Sequence, residues 1–107
     1  MKQFYTVVLD RMTTFEGRLD SEPYEAGWAD EVIAFVRVHE IEPDAHVSGR
    51  LQISPDGINW IDEGAAIESS GGAGISFMRT ANFGGWLRLC VMCEGKCSVT
   101  TYLALKG

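Results

Sequence analysis

Residues 54–60 read Ser-Pro-Asp-Gly-Ile-Asn-Trp (SPDGINW), and the fold turns on what that run is for. A calcium loop, a sugar-reading hairpin and a plain turn all use such residues. The turn reading gives each conspicuous one a task. Ser54 to Gly57 fits a type I turn: Pro55 presets φ at the second position, Asp56 suits the third, and Gly57 is free to take the left-handed conformation of a following bulge. The Ser54 and Asp56 side chains can accept hydrogen bonds from nearby backbone N–H groups, and Trp60 is placed to pack over the hairpin. Flanked by VSGRLQI (47–53) and INWID (58–62), the run predicts a β-hairpin.

Working outward, the period-two rhythm recurs and helical periodicity is nearly absent. Upstream, VIAFVRVH (32–39) sets Val32, Ala34, Val36 and Val38 on one face and Ile33, Phe35, Arg37 and His39 on the other. Both faces are largely apolar as far as Arg37, which predicts a strand covered on both sides, the outer side by another subunit. Pro43, in EIEPDAH (40–46), bars a central strand there. FYTVVL (4–9) and Thr13 to Leu19 predict two more strands, followed by the acidic connection that contains Tyr24 and Trp28.

Downstream, GAAIESSGGAG (64–74) predicts a glycine-rich surface loop, ISFMRT (75–80) a strand and ANFGG (81–85) a turn. WLRLCVMC-EGK-CSVTTYLALKG (86–107) reads as a final hairpin. If Leu87, Leu89, Val91 and Cys93 face the core, the matching set is Cys97, Val99, Thr101, Leu103 and Leu105. A three-residue Glu94-Gly95-Lys96 loop, with Cys93 opposite Cys97, keeps both sets on the same side. The expectation is an all-β, single-domain antiparallel β-sandwich or jelly roll of seven or eight strands over residues 1–107.

Composition narrows the function classes. At 107 residues the chain has room for one core. Hydrophobic residues make up 46% and charged residues 22%, which argues against a disordered chain. A net charge of −6 with no Lys/Arg cluster argues against nucleic acid, whose phosphates need concentrated positive charge, and against a basic membrane-surface helix. The N-terminal apolar run is broken by Asp10 and Arg11, too short for a signal-peptide core, so cytoplasmic synthesis without a cleaved signal is expected. An odd cysteine count fits a reducing compartment.

Candidate chemistry is sparse. Cys90, Cys93 and Cys97 have a spacing that raises zinc, but on a strand Cys90 points away from Cys93, and the three thiols converge only if the strand bulges. A fourth ligand would have to come from His39 or His46. Glu22, Glu25, Asp30 and Glu31 read as a solvated acidic surface. The loop Gly71-Gly72-Ala73-Gly74 lacks the Lys and Ser/Thr of a phosphate cradle. No catalytic residue, metal or cofactor is assigned, and the reading is non-enzymatic.

Two resemblances attach to these residues. SPDGINW, with the later GGWLRLCV, resembles the hairpin and late strand of discoidin-type modules. That resemblance implies a jelly-roll sandwich that binds carbohydrate or lipid headgroups through loops at one end. The layout across most of the chain is similar to small β-sandwich accessory proteins of tailed-phage particles, the decoration and head-fibre modules. This second resemblance implies a structural role in a virion.

The expected function is therefore a structural protein that self-assembles as a homo-oligomer, a virion or protein-shell component. Ile33, Phe35, Trp86, Cys90 and Met92 are its candidate contact residues, because a chain this short has too many outward apolar strand residues to bury. The alternative is a glycan- or ligand-binding module using Tyr24, Trp28 and Trp60 with Asp30 and Asp56. A metal or redox site at the three cysteines is the second alternative.

Overall fold

The alternation at the C-terminal end resolves into one strand instead of two. In the computed structural model, which describes residues 3–69 and 72–107, the strands are β1 (Phe4–Asp20), β2 (Tyr24–Glu25), β3 (Glu31–Ile41), β4 (His46–Ser54), β5 (Ile61–Ser69), β6 (Gly74–Ala81) and β7 (Trp86–Lys106). None of the described residues is helical. β7 runs unbroken for 21 residues, so the expected hairpin at Glu94–Lys96 does not form. That stretch is a bend.

β7 organises the molecule, and every pairing is antiparallel. β1 lies along one flank, from Phe4 opposite Lys106 to Asp20 opposite Cys90, and β2 continues it at Leu87 and Trp86. On the other flank, β3 pairs with the C-terminal half of β7 and β4 with the N-terminal half. β6 then adds to β3, and β5 to β4. One hydrogen-bonded sheet results, and it folds over along a line through Gly17, Glu94–Lys96 and the β3–β4 connection. The first leaf holds most of β1, the C-terminal half of β7, β3 and β6. The second holds the end of β1, β2, the N-terminal half of β7, β4 and β5. The two leaves form a jelly-roll sandwich.

The fold line has a visible chemical basis. The β1–β7 register passes from Glu16 opposite Lys96 directly to Gly17 opposite Cys93, leaving Glu94 and Gly95 as the bulge that turns the strand. Gly95 has φ 102°, and a Cβ there would lie 2.8 Å from the Cβ of Ala45 in the β3–β4 connection. Only glycine meets both demands.

Between the leaves, β7 buries Leu87, Leu89, Val91 and Cys93 from one half and Cys97, Val99, Thr101, Leu103 and Leu105 from the other. Val32, Ala34, Val36 and Val38 of β3 and Val47 and Leu51 of β4 complete the layer. The expected inward sets are thus the observed ones. Fully burying one such aliphatic side chain contributes about 1.5–3 kcal/mol. Thr101, the one hydroxyl in the β7 set, is satisfied by β1: its Oγ1 donates to Asp10 Oδ2 at 2.9 Å and accepts from the Asp10 N–H at 3.0 Å.

Three segment expectations need correction. Residues 4–9 and 13–19 are parts of one strand, β1, interrupted by register shifts around Asp10 and Met12. Residues 64–69, expected in a loop, belong to β5; Gly64 sits at φ 122° where the β4–β5 register slips, so it bulges the strand without ending it. The rest of that expected loop includes residues 70–71, which lie outside the described residues, as do residues 1–2. Finally, Ile58 to Trp60 belong to the turn, and the strand resumes only at Ile61, opposite Ile53.

Candidate functional site

The outer faces of the two leaves differ in kind. On the first leaf the registers line up a row across four strands: Val8 opposite Tyr102, Tyr102 opposite Phe35, Phe35 opposite Phe77. Residues directly opposite share a face, and the rings touch. The Phe35 centroid is 6.3 Å from that of Phe77 and 6.4 Å from that of Tyr102, the latter edge-on. The next row holds Ala104, Ile33 and Arg79, and Ile75 lies opposite Arg37 on the other side. Ile75 is 61% and Phe77 51% exposed, whereas Ile33 and Phe35 are half-buried by these neighbours. Cations border the patch: the Arg79 guanidinium lies 5.4 Å from the Phe77 ring and the Lys106 ammonium 5.3 Å from the Phe4 ring. Sequence alternation singled out Ile33 and Phe35 only. Phe77, Tyr102 and Val8 join them through pairings between distant strands, which a period within one segment does not reveal.

The outer face of the second leaf is covered by the chain's own polar arms. Arg88 Nε donates to Gln52 Oε1 at 2.7 Å, and Gln52 Nε2 donates to Asp62 Oδ1 at 2.9 Å. Arg50 reaches Asp62 at 3.3 Å and the Met92 sulfur at 3.2 Å. Arg18 pairs with Asp20 at 2.9 Å. Partial burial works against the Asp20 charge, but the Arg18 hydrogen bond, the Cys90 thiol and Arg88 hold its carboxyl below the ordinary range.

This arrangement takes Cys90 out of reach of any partner and engages two other expected contact residues, Trp86 and Met92, within the chain. Cys90, opposite Asp20 and Arg50, is fully buried, and burial pushes its thiol up, so it presents no surface to a partner. Trp86 is half-buried with its indole against Gly57, where a Cβ would come within 3.3 Å of the ring. Met92 stays 39% exposed but is engaged by Arg50.

The turn is held together by Asp56. Its Oδ1 accepts from the N–H groups of Ile58 and Asn59, both at 2.9 Å, and its Oδ2 accepts from the Asn59 side-chain amide at 2.8 Å. Ser54 Oγ accepts from the N–H groups of Asp56 and Gly57 and donates to Asp56 Oδ1. The Asn59 and Ile58 N–H groups, with the Asn59 amide and Ser54, hold the Asp56 carboxyl well below the ordinary range. Gly57, at φ 80°, takes the expected left-handed conformation. The indole over Gly57 is that of Trp86 from β7, while Trp60 stacks on Arg88 with the guanidinium 4.7 Å from its ring.

The candidate ligand residues do not form one site, although Trp28 and Asp30 both flank Gly107. Tyr24 packs against the core, Trp60 is under Arg88 on the second leaf, and Trp28 packs beside Gly107. Asp56 is committed to its own turn. Asp30 lines a small recess with Glu31, Lys106 and Gly107. Among the described residues no three His, Cys, Asp or Glu side chains come together as metal ligands. The cysteines are free thiols, and burial together with the neighbouring Cys93 pushes Cys97 up to about 12.

No family model matches the sequence, and no curated protein matches it. Solved structures do. Over 98% of its length the chain superposes on VP2 of an infectious bursal disease virus subviral particle with TM-score 0.71, at 12% identity and 32% coverage of that chain. The exported protein XepA of PBSX matches over 98% of this chain and 36% of its own, with TM-score 0.64 and 9% identity. The SPBc2 prophage-derived protein YomS matches over 100% of this chain and 96% of its own, with TM-score 0.60 and 7% identity. The chain thus has the jelly-roll fold found in these phage and viral proteins. It spans about a third of the length of the VP2 and XepA chains it matches.

Proposed function

We propose that the protein is a non-enzymatic structural component that self-associates in a virion or comparable protein shell, with the outer face of the first leaf as its contact surface. One observation carries the reading: the continuous row Val8–Tyr102–Phe35–Phe77, flanked by Ile33 and Ile75, stays partly open to solvent on a chain that covers its other outer face with its own side chains. Contiguous apolar surface of this kind marks a binding face. The fold likeness to phage and viral proteins supports a particle as the setting. No catalytic group, cofactor, nucleic acid or membrane surface enters this reading. Light scattering over a concentration series tests it. The mass should rise above the monomer by high micromolar concentration, and a strictly monomeric species there would overturn the proposal.

A further inference from the structure

Among the described residues the sheet has three long free edges, β1, β5 and β6, and two of them are blunted. An open edge strand offers unpaired N–H and C=O groups to any other strand, and proteins guard such edges with bulges and charges. β1 carries register shifts at Val8/Asp10, Asp10/Thr13 and Glu16/Gly17, a left-handed Met12 at φ 44°, and the charges Asp10, Arg11, Glu16 and Arg18. β5 carries the Gly64 bulge and Asp62, Glu63 and Glu68. β6 has neither defence. It pairs with β3 without a shift from Ala81 opposite Glu31 to Gly74 opposite Val38, contains no proline, and bears one charge, Arg79. Thr80 Oγ1 reaches across to Glu63 of β5, but β5 and β6 are not hydrogen-bonded neighbours in the sheet among the described residues.

We infer that β6 (Gly74–Ala81) is the pairing edge through which a second copy of this chain adds antiparallel, joining two first leaves into one continuous sheet. The inference rests on the self-association reading and names its first contact. Strand sequence argues for a second copy as the partner. A two-fold axis at Met78 sets Phe77 of each copy opposite Arg79 of the other, repeating across the join the Arg79–Phe77 contact that each chain already makes. It also sets Ile75 opposite Ala81 and keeps the two arginines apart. The aromatic row then continues through the join, so the two apolar faces become one surface.

Amide hydrogen exchange, followed below and above the association midpoint, reads this directly. The β6 amides that face away from β3 should slow about tenfold or more on association. Proline supplies the second arm, because it removes one N–H donor. Neighbouring residues on a paired strand alternate between bonding to β3 and facing outward, so Ser76→Pro and Phe77→Pro differ, and Phe77→Ala serves as the control for the lost ring. One should destabilise the leaf; the other should keep the wild-type unfolding midpoint yet sediment as a monomer. If the wild type associates while exchange over 74–81 is unchanged, or the well-folded proline variant associates normally, edge pairing is wrong and self-association stands. A wild type that never associates removes both.

Discussion

The two outer faces of this sandwich share a strand and differ in what covers it. β7 presents Trp86, Arg88, Cys90 and Met92 outward on the second leaf, and Thr100, Tyr102 and Ala104 on the first. On the second leaf, Arg18, Arg50, Arg88, Gln52 and Asp62 close over the strand in a hydrogen-bonded lattice. On the first leaf the outward neighbours are Val8, Ile33, Phe35, Ile75 and Phe77, with cations only at the border. An outward apolar residue therefore means different things on the two leaves. Beside long polar arms it is already buried, as Cys90 is; beside other apolar residues it stays partly open to solvent, as Phe77 does.

Substitutions can break or sharpen that contrast. The inner faces should respond alike: Leu89→Ala on the second leaf and Leu103→Ala on the first each remove a fully buried side chain and should cost about 2–5 kcal/mol in urea unfolding. Outside, the leaves should part. Phe35→Ser removes a half-buried ring packed on Phe77 and Tyr102 and should cost about 1–2 kcal/mol in unfolding, yet it should also weaken association of the folded chain at least about tenfold, or ~1.4 kcal/mol, by sedimentation equilibrium. Gln52→Ala takes one hydrogen-bond partner each from Arg88 and Asp62, which keep Trp60 and Arg50, and should cost about 1 kcal/mol while leaving association untouched.

The fold line between the leaves adds a pH test. Because Cys97 is pushed up to about 12 in the folded chain, while an ordinary thiol titrates near ~8.5, the unfolded chain loses this proton first. The stability tied to Cys97 is fully present below the unfolded value and drains as pH rises toward 12. Urea midpoints should fall from pH 8 to pH 10, and Cys97→Val should flatten that fall. The smallest effect belongs to the surface pair on the second leaf: Arg18→Ala should cost about 1 kcal/mol or less.

The core was legible in the sequence because side-chain parity survives errors of topology. Cys93 and Cys97 face inward across a bend as they would across a three-residue hairpin, so the inward sets of β7 were right although the hairpin was not. What separates bend from hairpin is the partner strand β1, some eighty residues away, which alternation within one segment does not report. Gly64 misled in the same way, since a glycine that bulges a strand reads like one that ends it. At the candidate surface, Ile33 and Phe35 were readable from their own strand. Phe77 and Tyr102 became neighbours only through pairing, and the polar cover over Cys90 comes from β1 and β4.

Sedimentation velocity on the wild type and on an Ile33→Ser, Phe35→Ser double variant, across a concentration series reaching high micromolar, puts the uncovered first leaf most directly to the test. The account predicts that the wild type sediments as more than a monomer and that the double variant, still folded, associates at least about tenfold more weakly. A wild type that remains a single chain throughout, or a double variant that associates as strongly, would contradict it.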